Sequence, residues 1–218
     1  MSLAAVTPTA QTVPGDSGRI RVLALCGSIN SPSTTESALR IAAAAAGAAG
    51  AEVEILRGAQ LSLPLYDPRS AQSSPAAQSL VAAVRRADAL LIASPAYHHG
   101  VTGLLKNALD HLEALRDDPL PYLDGKAVGC IALAGGWPGA VNTVQGLRHV
   151  VQALRGWATP LAVAASTGER PFDGADCRDD KLRTQLELIG RQVVEFARMR
   201  RTALAPGHTR PHLHTART

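Results

Sequence analysis

Three short segments carry the residue types that could bind a cofactor, and each follows an apolar run of strand length. Their sequences are GSINSPSTT at residues 27–35, SPAYHHG at 94–100 and AGGWPGA at 134–140. The first is rich in hydroxyl groups, and the other two each combine glycine with a flat aromatic side chain. Hydroxyl and backbone N–H groups suit a phosphate, whereas glycine and flat rings suit a planar heteroaromatic ligand.

The first segment is predicted to bind a phosphate. It joins the apolar run at residues 20–26 to an alanine-rich run of strong helix formers that begins near Thr34, so it is a strand-to-helix turn. Backbone N–H groups at such a turn, together with the positive end of the helix dipole, favour an anion. The hydroxyl residues that would assist them are Ser28, Ser33, Thr34 and Thr35. The alternative is an ordinary capped helix after a strand.

The motifs of two other phosphate-binding classes are absent from the sequence. There is no G-x-x-x-x-G-K-[ST] motif, which nucleoside triphosphatases use, and no G-x-G-x-x-G dinucleotide fingerprint. A terminal phosphate monoester, held by several charge-assisted hydrogen bonds from neutral donors, is therefore the expected anion.

The second and third segments are predicted to flank a planar ring. Pro95 and Tyr97 follow the third apolar run, Gly135 and Gly136 follow the fourth, and Trp137 adds a second flat surface. A flavin with its phosphate in the first segment fits all three segments, and backbone amides near its ring would tune its electronics. The alternatives are that Tyr97 only covers the core and that Trp137 lies in a subunit interface.

Five apolar runs that alternate with helical segments predict an α/β fold. The runs are residues 20–26, 52–56, 89–93, 127–134 and 158–165, and the helices are 34–49, 76–87, 102–115, 141–154 and 180–200. Most runs are uniformly apolar, which is typical of a parallel sheet covered on both faces. We predict a doubly wound parallel sheet of five strands with helices on both faces. If its strand order is 2-1-3-4-5, all three segments meet at one cleft at the carboxyl ends of the strands.

Composition argues against several other classes of protein. The net charge is +4, but basic and aromatic residues do not alternate as they do in surfaces that stack bases, so no nucleic acid partner is expected. Three cysteines without C-x-x-C spacing, and the adjacent pair His98 and His99, predict neither a disulfide framework nor a metal site. No run is long enough to span a bilayer, and no secretion signal is evident, so we expect a cytoplasmic protein without a membrane partner.

The chain is predicted to contain one ordered domain. Residues 1–18 mix Ala, Thr, Pro, Gln and Ser without periodicity and are expected to form a flexible leader. Residues 19–201 form the predicted FMN-binding domain. Residues 202–218, which contain three histidines among prolines and arginines, are expected to form a flexible tail.

At these segments the chain resembles the NADPH-dependent FMN reductase family, a flavodoxin-like group of flavin, chromate and quinone reductases and some azoreductases. The residues that carry the resemblance are GSINSPST at 27–34 and SPAYHHGVTGLLKNALDHL at 94–112, with AGGWPG in support. It implies that Ser28, Asn30, Ser33 and Thr35 hold the FMN phosphate. Family members commonly carry arginine at the position of Asn30.

The same resemblance assigns the residues around the flavin ring. Pro95, Ala96, Tyr97 and His98 would flank the isoalloxazine, and Gly135, Gly136 and Trp137 would close its other side. It also implies a homodimer or homotetramer that completes the site.

The resulting hypothesis is an NAD(P)H-dependent FMN-binding oxidoreductase of the flavin reductase type. NADPH or NADH would deliver a hydride to N5 of FMN, and electrons would pass to free flavin, a quinone or another small-molecule acceptor, so that no side chain need be a strong acid or base. The alternative is a non-enzymatic flavodoxin-type electron carrier. Such carriers are usually strongly acidic, whereas this chain is basic.

Overall fold

A computed structural model of the chain describes residues 18–69 and 74–204. Its strands are β1 (Ile20–Cys26), β2 (Ala51–Arg57), β3 (Ala89–Tyr97), β4 (Gly100–Val101), β5 (Ala127–Ala134), β6 (Trp157–Ala158), β7 (Val163–Ser166), β8 (Phe172–Asp173) and β9 (Asp176–Cys177). Its α-helices are α1 (Thr34–Ala48), α2 (Pro75–Arg86), α3 (Gly103–Asp110), α4 (Trp137–Ala153) and α5 (Asp180–Ala203). Short 3-10 turns follow β2, α3 and β7.

The central sheet has the predicted strand order. Strands β2, β1, β3 and β5 lie side by side and are all parallel, and both β6 and β7 pair with β5 beyond them. This corresponds to the order 2-1-3-4-5 expected from the sequence, so the prediction of a doubly wound α/β fold is confirmed. Among the described strands of this sheet, only the short β4 runs antiparallel to its neighbour, and β8 pairs with β9 in a separate hairpin.

Both faces of the sheet are buried because side chains alternate along each strand. In β1, Val22 and Ala24 pack with α1 and α5 on one face, whereas Leu23 and Leu25 pack with α2, α3 and α4 on the other. The two cores are almost entirely aliphatic, as the low aromatic content predicts. The three cysteines are free and buried, two in the first core and one in the second.

The predicted fifth strand is broken into two pieces. Residues 157–158 and 163–166 both pair with β5, but Pro160 between them has no N–H to offer a ladder. The backbone there is supported by side chains instead, since Arg148 donates to the Thr159 carbonyl at 2.7 Å and Gln192 accepts from the Leu161 N–H at 3.4 Å. The prediction of one continuous strand was therefore wrong in detail.

Other predicted bounds differ from the structure at the ends of elements. β3 continues to Tyr97 instead of ending at residue 93, which Pro95 tolerates because β1 has already ended and no longer pairs on that side. α3 ends at Asp110 in a 3-10 turn, and α5 extends to Ala203. The predicted leader lies outside the described residues except for Gly18, and so does the predicted tail from residue 205 onward.

Candidate functional site

The first predicted segment forms the loop between β1 and α1, and a glycine sets its path. The Gly27 N–H donates to the Ala93 carbonyl at 2.7 Å. A Cβ at residue 27 would lie 3.0 Å from the Leu105 Cβ and 3.1 Å from both the Ala93 carbonyl and the Thr102 hydroxyl. The loop therefore starts in close contact with the β3 side of the sheet. Ser28, which is buried, donates through its hydroxyl to the Asn30 carbonyl at 3.2 Å.

The N-terminus of α1 closes this loop and leaves donors unused. Ser33 is the N-cap, and its hydroxyl accepts from the Glu36 N–H at 3.1 Å. The N–H groups of Thr34 and Thr35 occupy the first helical turn, where no intrahelical acceptor exists. In the part of the chain that the structure describes, the N–H groups of residues 29–31 also have no hydrogen-bond acceptor. These N–H groups therefore remain for a ligand, although Thr35 itself is buried.

The second predicted segment forms the end of β3 and a tight hairpin. Ala96 pairs with Val101 and Tyr97 pairs with Gly100, so His98 and His99 are the two central residues of the turn. Both have positive φ, 50° and 64°, as the turns that match strand twist require. The Asn142 amide lies 3.0 Å from Nδ1 of His99 and ties the turn to α4. Tyr97 is 60% exposed, so it presents its ring to solvent.

The third predicted segment follows β5, and α4 begins within it. The helix starts at Trp137 with Gly136 as N-cap and Pro138 in the first turn, so the predicted start at residue 141 was wrong. A Cβ on Gly135 would meet no atom within 4 Å, and one on Gly136 only the Pro138 Cδ at 3.9 Å. These glycines therefore face open space. Trp137 is 48% exposed, and its indole N–H donates to the Glu169 carboxylate at 2.5 Å.

A fourth loop, which the sequence did not reveal, supports the third. After β7, the Ser166 hydroxyl donates to the Gly135 carbonyl at 3.3 Å and the Thr167 hydroxyl donates to the Ala134 carbonyl at 3.1 Å. A Cβ on Gly168 would lie only 2.6 Å from the Gly135 carbonyl, so the two loops are in direct contact. The Ser-Thr-Gly-Glu sequence after the last apolar run was the available signal.

Thr102 links the first loop to the second. This buried residue is the N-cap of α3, and its hydroxyl accepts from the Leu105 N–H at 3.3 Å and donates to the Gly27 carbonyl at 2.9 Å. The Thr102 N–H in turn donates to the Ser94 hydroxyl at 3.2 Å. The loops thus form one connected edge at the carboxyl ends of the strands, as the predicted topology requires.

Comparison with known proteins identifies the family. The model of the NADPH-dependent FMN reductase family matches residues 20–170. The chain belongs to this family. It is also 32% identical over 118 residues to an FMN-dependent NADPH-azoreductase of Staphylococcus haemolyticus, an alignment of 52% of this chain and 58% of that protein. The chain thus spans little more than half the length of the curated relatives that it matches.

Several solved structures share the fold of this chain. The flavoenzyme NAD(P)H:(acceptor) oxidoreductase FerB of Paracoccus denitrificans has a TM-score of 0.66 at 19% identity, over 83% of this chain and 98% of that one. An oxidoreductase of Corynebacterium diphtheriae has a TM-score of 0.64 at 19% identity, over 84% and 99%. At this level of identity, the likeness shows the fold.

The sequence did not reveal one charged residue, Arg57, that contacts the first loop. Arg57 ends β2 and is paired in register with Cys26 at the end of β1. Its Nη1 donates to the Ser31 hydroxyl at 2.7 Å and contacts the Glu36 carboxylate. An arginine at the end of an edge strand is not a signal by itself, because only the pairing of β2 with β1 brings it to the loop.

Glu36 is a buried carboxylate between two arginines. Burial alone raises the pKa of this carboxyl, but hydrogen bonding from Ser31 and Arg40, with the charges of Arg57 and Arg40, outweighs burial and holds the pKa below its usual value. Arg40 Nε donates to Glu36 Oε1 at 2.9 Å. Glu36 is therefore ionised at neutral pH.

The described residues contain no cluster of His, Cys, Asp or Glu that could hold a metal ion. Within residues 18–69 and 74–204, no helix is long and apolar enough to cross a membrane. Burial raises the pKa of the Cys26 thiol, which lies just below the first loop, and raises that of Cys130 to about 12. Neither thiol is therefore a ready nucleophile.

Proposed function

We propose that this protein is an NAD(P)H-dependent FMN-binding oxidoreductase of the flavin reductase type. The observation that carries the proposal is the set of unused donors in the first loop, which lies on the same edge of the sheet as two loops with open, glycine-lined backbone. Membership of the NADPH-dependent FMN reductase family supports FMN as the cofactor and NADPH as the reductant.

The phosphate end of FMN fits the first loop. The N–H groups of residues 29–31, with those of Thr34 and Thr35, have no protein acceptor among the described residues and lie at the positive end of α1. Ser28, Asn30 and Ser33 belong to the same turn and complete the set of phosphate ligands that we propose. Ser28 and Ser33 also hold the turn in shape through their hydroxyl groups.

The ring end of FMN fits the second and third loops. Gly135 and Gly136 leave open space in front of their backbone, and Tyr97 and Trp137 are exposed aromatic residues at the end of β3 and the start of α4. We propose that Pro95, Ala96, Tyr97 and His98 contact one side of the ring system. Gly135, Gly136 and Trp137 would contact the other side.

In this proposal the protein binds and orients, and the cofactor is the redox group. When bound, FMN supplies an electron acceptor for the hydride of NAD(P)H and a donor for the second substrate. The chain contributes a phosphate site and a backbone frame around the ring. No side chain described here has to act as a strong acid or base, which agrees with the burial of Cys26 and the structural use of Glu36.

The second substrate is a small electron acceptor. The azoreductase relatives favour an azo compound, and free flavin and quinones are further candidates because reduced flavins transfer electrons to each of them. NADPH is preferred to NADH in this proposal on the basis of the family alone.

We also propose a homodimer or homotetramer in the cytoplasm. Tyr97, Trp137 and Val141 are large apolar side chains exposed at the candidate site, and a partner subunit that covers them would shield the ring from water. Three free, buried cysteines are compatible with a reducing compartment.

A flavodoxin-type electron carrier is the weaker candidate. Its protein partners require complementary charge, and the net charge of +4 is opposite to the acidic character typical of such carriers. Direct and rapid reduction of the bound flavin by NAD(P)H, without any protein partner, would favour the enzyme over the carrier.

The decisive experiment is a visible absorption spectrum of the purified protein with and without added FMN, followed by anaerobic addition of NADPH and then NADH. We expect flavin bands that bleach with at least one nucleotide and recover when an azo dye or quinone is added. If FMN neither binds nor is reduced, the proposed function is wrong.

A further inference from the structure

Arg57 is placed to serve the phosphate end of the site from a neighbouring strand. β2 pairs with β1 so that Arg57 stands level with Cys26, one residue before the first loop begins. Its Nη1 donates to the Ser31 hydroxyl at 2.7 Å, so the side chain reaches the loop next to Asn30. No lysine or arginine occurs within the segment 27–35 itself.

Glu36 holds one side of the Arg57 guanidinium and leaves the rest of it available. The carboxylate is buried, at 4% exposure, and its Oε1 contacts both Arg57 Nη1 and Arg40. With two arginines and one carboxylate, this cluster has a net charge of +1.

The remaining donors of Arg57 have no partner among the described residues. Its two hydrogen bonds both come from Nη1, so Nε and Nη2 keep three of the five N–H groups of a guanidinium unused. The side chain is 40% exposed, so a ligand in the loop could reach it. A guanidinium with free donors suits a phosphate, which it can bind with two parallel hydrogen bonds.

We propose that Arg57 supplies the positive charge that selects a phosphorylated flavin in this protein. It does so from the end of β2, because residues 27–35 contain no lysine or arginine of their own. This inference rests on the proposed function, since it assigns a ligand to the phosphate of FMN. Glu36 is then a positioning residue, because it fixes the guanidinium without contacting the cofactor.

The test compares two flavins that differ only in the phosphate. FMN and riboflavin are titrated into the wild-type apoprotein and Arg57→Gln, with quenching of flavin fluorescence as the readout. We expect Arg57→Gln to weaken FMN binding roughly 10- to 100-fold, the range for one charged hydrogen-bonding group, and to change riboflavin binding less than about twofold. The FMN affinity of the variant should also depend less on salt than that of the wild type.

Arg201→Gln is the matched control. Arg201 is also partly exposed, but it lies where the parallel strands begin, at the end of the sheet away from the first loop. It donates to the carbonyls of Gly18 and Arg19 and to Asp88. The control loses the same charge and should bind FMN as the wild type does. A similar loss of FMN affinity in both variants would mean that general charge attraction, and not Arg57, selects the phosphate.

A double variant, Glu36→Gln with Arg57→Gln, removes the buried carboxylate together with Arg57. It leaves Arg40, which is half exposed, as the remaining charge of the cluster, so the net charge of +1 is kept while the donors of Arg57 are lost. It provides the same comparison if the single variant fails to fold, and we expect it to show the same loss of FMN preference over riboflavin. Equal weakening of FMN and riboflavin, or unchanged FMN binding, would overturn the role of Arg57. Failure of the wild type to bind either flavin would instead overturn the proposed function.

Discussion

The parallel strands of the central sheet begin at one side of the molecule, the amino edge, and end at the other, the carboxyl edge. Both edges carry positive charge, but they use it differently. At the amino edge, where the parallel strands begin, Arg201 donates to two carbonyls and Asp88, Arg198 donates to the Ala49 carbonyl, and Lys126 donates to the Ala87 carbonyl. At the carboxyl edge, Arg57 uses one nitrogen of its guanidinium, and backbone N–H groups of the first loop have no acceptor among the described residues.

The amino edge also carries a cavity. A cavity of about 420 Å³ at the amino edge is lined by Asp88, Lys126 and Arg201, among others. Lys126 and Arg201 in its lining already donate to backbone or carboxylate oxygens, and burial lowers the pKa of Lys126. At the carboxyl edge, by contrast, unused backbone N–H groups of the first loop lie together with the N-terminus of a helix. The comparison predicts that amino-edge variants change stability alone, whereas carboxyl-edge variants also change flavin binding.

The largest effect is expected for Thr102→Val, which disconnects two loops of the carboxyl edge. The variant removes the N-cap acceptor of α3 and leaves the buried Gly27 carbonyl without its donor, so it should lower the free energy of unfolding by about 2–4 kcal/mol. FMN affinity should fall by roughly tenfold or more because the first loop is no longer fixed. Urea unfolding and flavin titration measure the two effects.

Asp88→Ala is the amino-edge counterpart of Thr102→Val. Asp88 accepts from the Arg21 N–H at 2.7 Å and from Arg201 at 3.0 Å, so its loss should destabilise the protein by about 1 kcal/mol. FMN affinity should not change. If Asp88→Ala weakens FMN binding as much as Thr102→Val does, loss of FMN affinity only reports general destabilisation, and the distinction between the edges is wrong.

Gly27→Ala should have the next largest effect. The added methyl would lie 3.0–3.1 Å from Leu105, Ala93 and Thr102, which are fixed in the core or in backbone, and overpacking of this kind lowers stability by about 1–3 kcal/mol. The loop must shift to relieve the contact, so FMN affinity should fall several-fold. Gly125→Ala is the control at the amino edge.

Gly125 has a φ of 76°, and the side chain closest to its added methyl is the flexible end of Arg200. Its replacement should lower stability by about 1 kcal/mol through backbone strain and leave FMN affinity unchanged. Flavin titration of the two alanine variants decides between a local and a general effect. Equal FMN affinities of the two variants would contradict the prediction.

The sequence predicted the strands and loops of the carboxyl edge better than the side-chain contacts between them. Uniformly apolar runs and helical periodicity depend on local residues, so the parallel sheet and the three loops followed from them, whereas the strand order 2-1-3-4-5 was assumed as the order that brings the loops together. Arg57 could not be placed, because its role depends on the register that pairs it with Cys26 in a different strand. Thr102 was visible only as a helix start, since its bond to Gly27 depends on how the loops meet in space.

Two bounds that were predicted wrongly, the break in the last strand and the start of α4, had signals in the sequence. Pro160 interrupts the last apolar run, and a proline within such a run argues against a continuous central strand. Gly136 followed by Trp137 and Pro138 is a typical helix start, because proline is favoured in the first helical turn. This places Trp137 on a helix that packs against the sheet, which fixes its position more firmly than a loop would.

The pH dependence of stability should also distinguish the edges. The pKa of Glu36 is below its usual value of 4.5, so Glu36 contributes stability above the unfolded pKa that is lost as the pH falls through the folded one. The difference in unfolding free energy between wild type and Glu36→Gln should therefore shrink on acidification. Urea unfolding between about pH 3 and pH 7 measures it.

Asp118 provides the amino-side control for this pH dependence. Its hydrogen bond from Arg85, at 2.7 Å, also lowers the pKa of its carboxyl, but both side chains are more exposed than Glu36. Asp118→Asn should therefore show a smaller change with pH in the same direction, and FMN affinity should stay at the wild-type value. A larger change for Asp118→Asn than for Glu36→Gln would contradict the structural role assigned to Glu36.

The smallest effect is expected at Trp137, where the ring and the hydrogen bond can be separated. Trp137→Phe removes the bond to Glu169 but keeps a flat surface, so stability should change by less than about 1 kcal/mol and FMN affinity by less than twofold. Trp137→Ala removes the surface as well and should weaken FMN about threefold, since ring contacts of this kind are modest. Flavin titration and sedimentation of both variants test the assignment. If Trp137→Ala leaves FMN affinity unchanged and alters the assembly state, Trp137 belongs to a subunit interface, and the ring is held by backbone and Tyr97 alone.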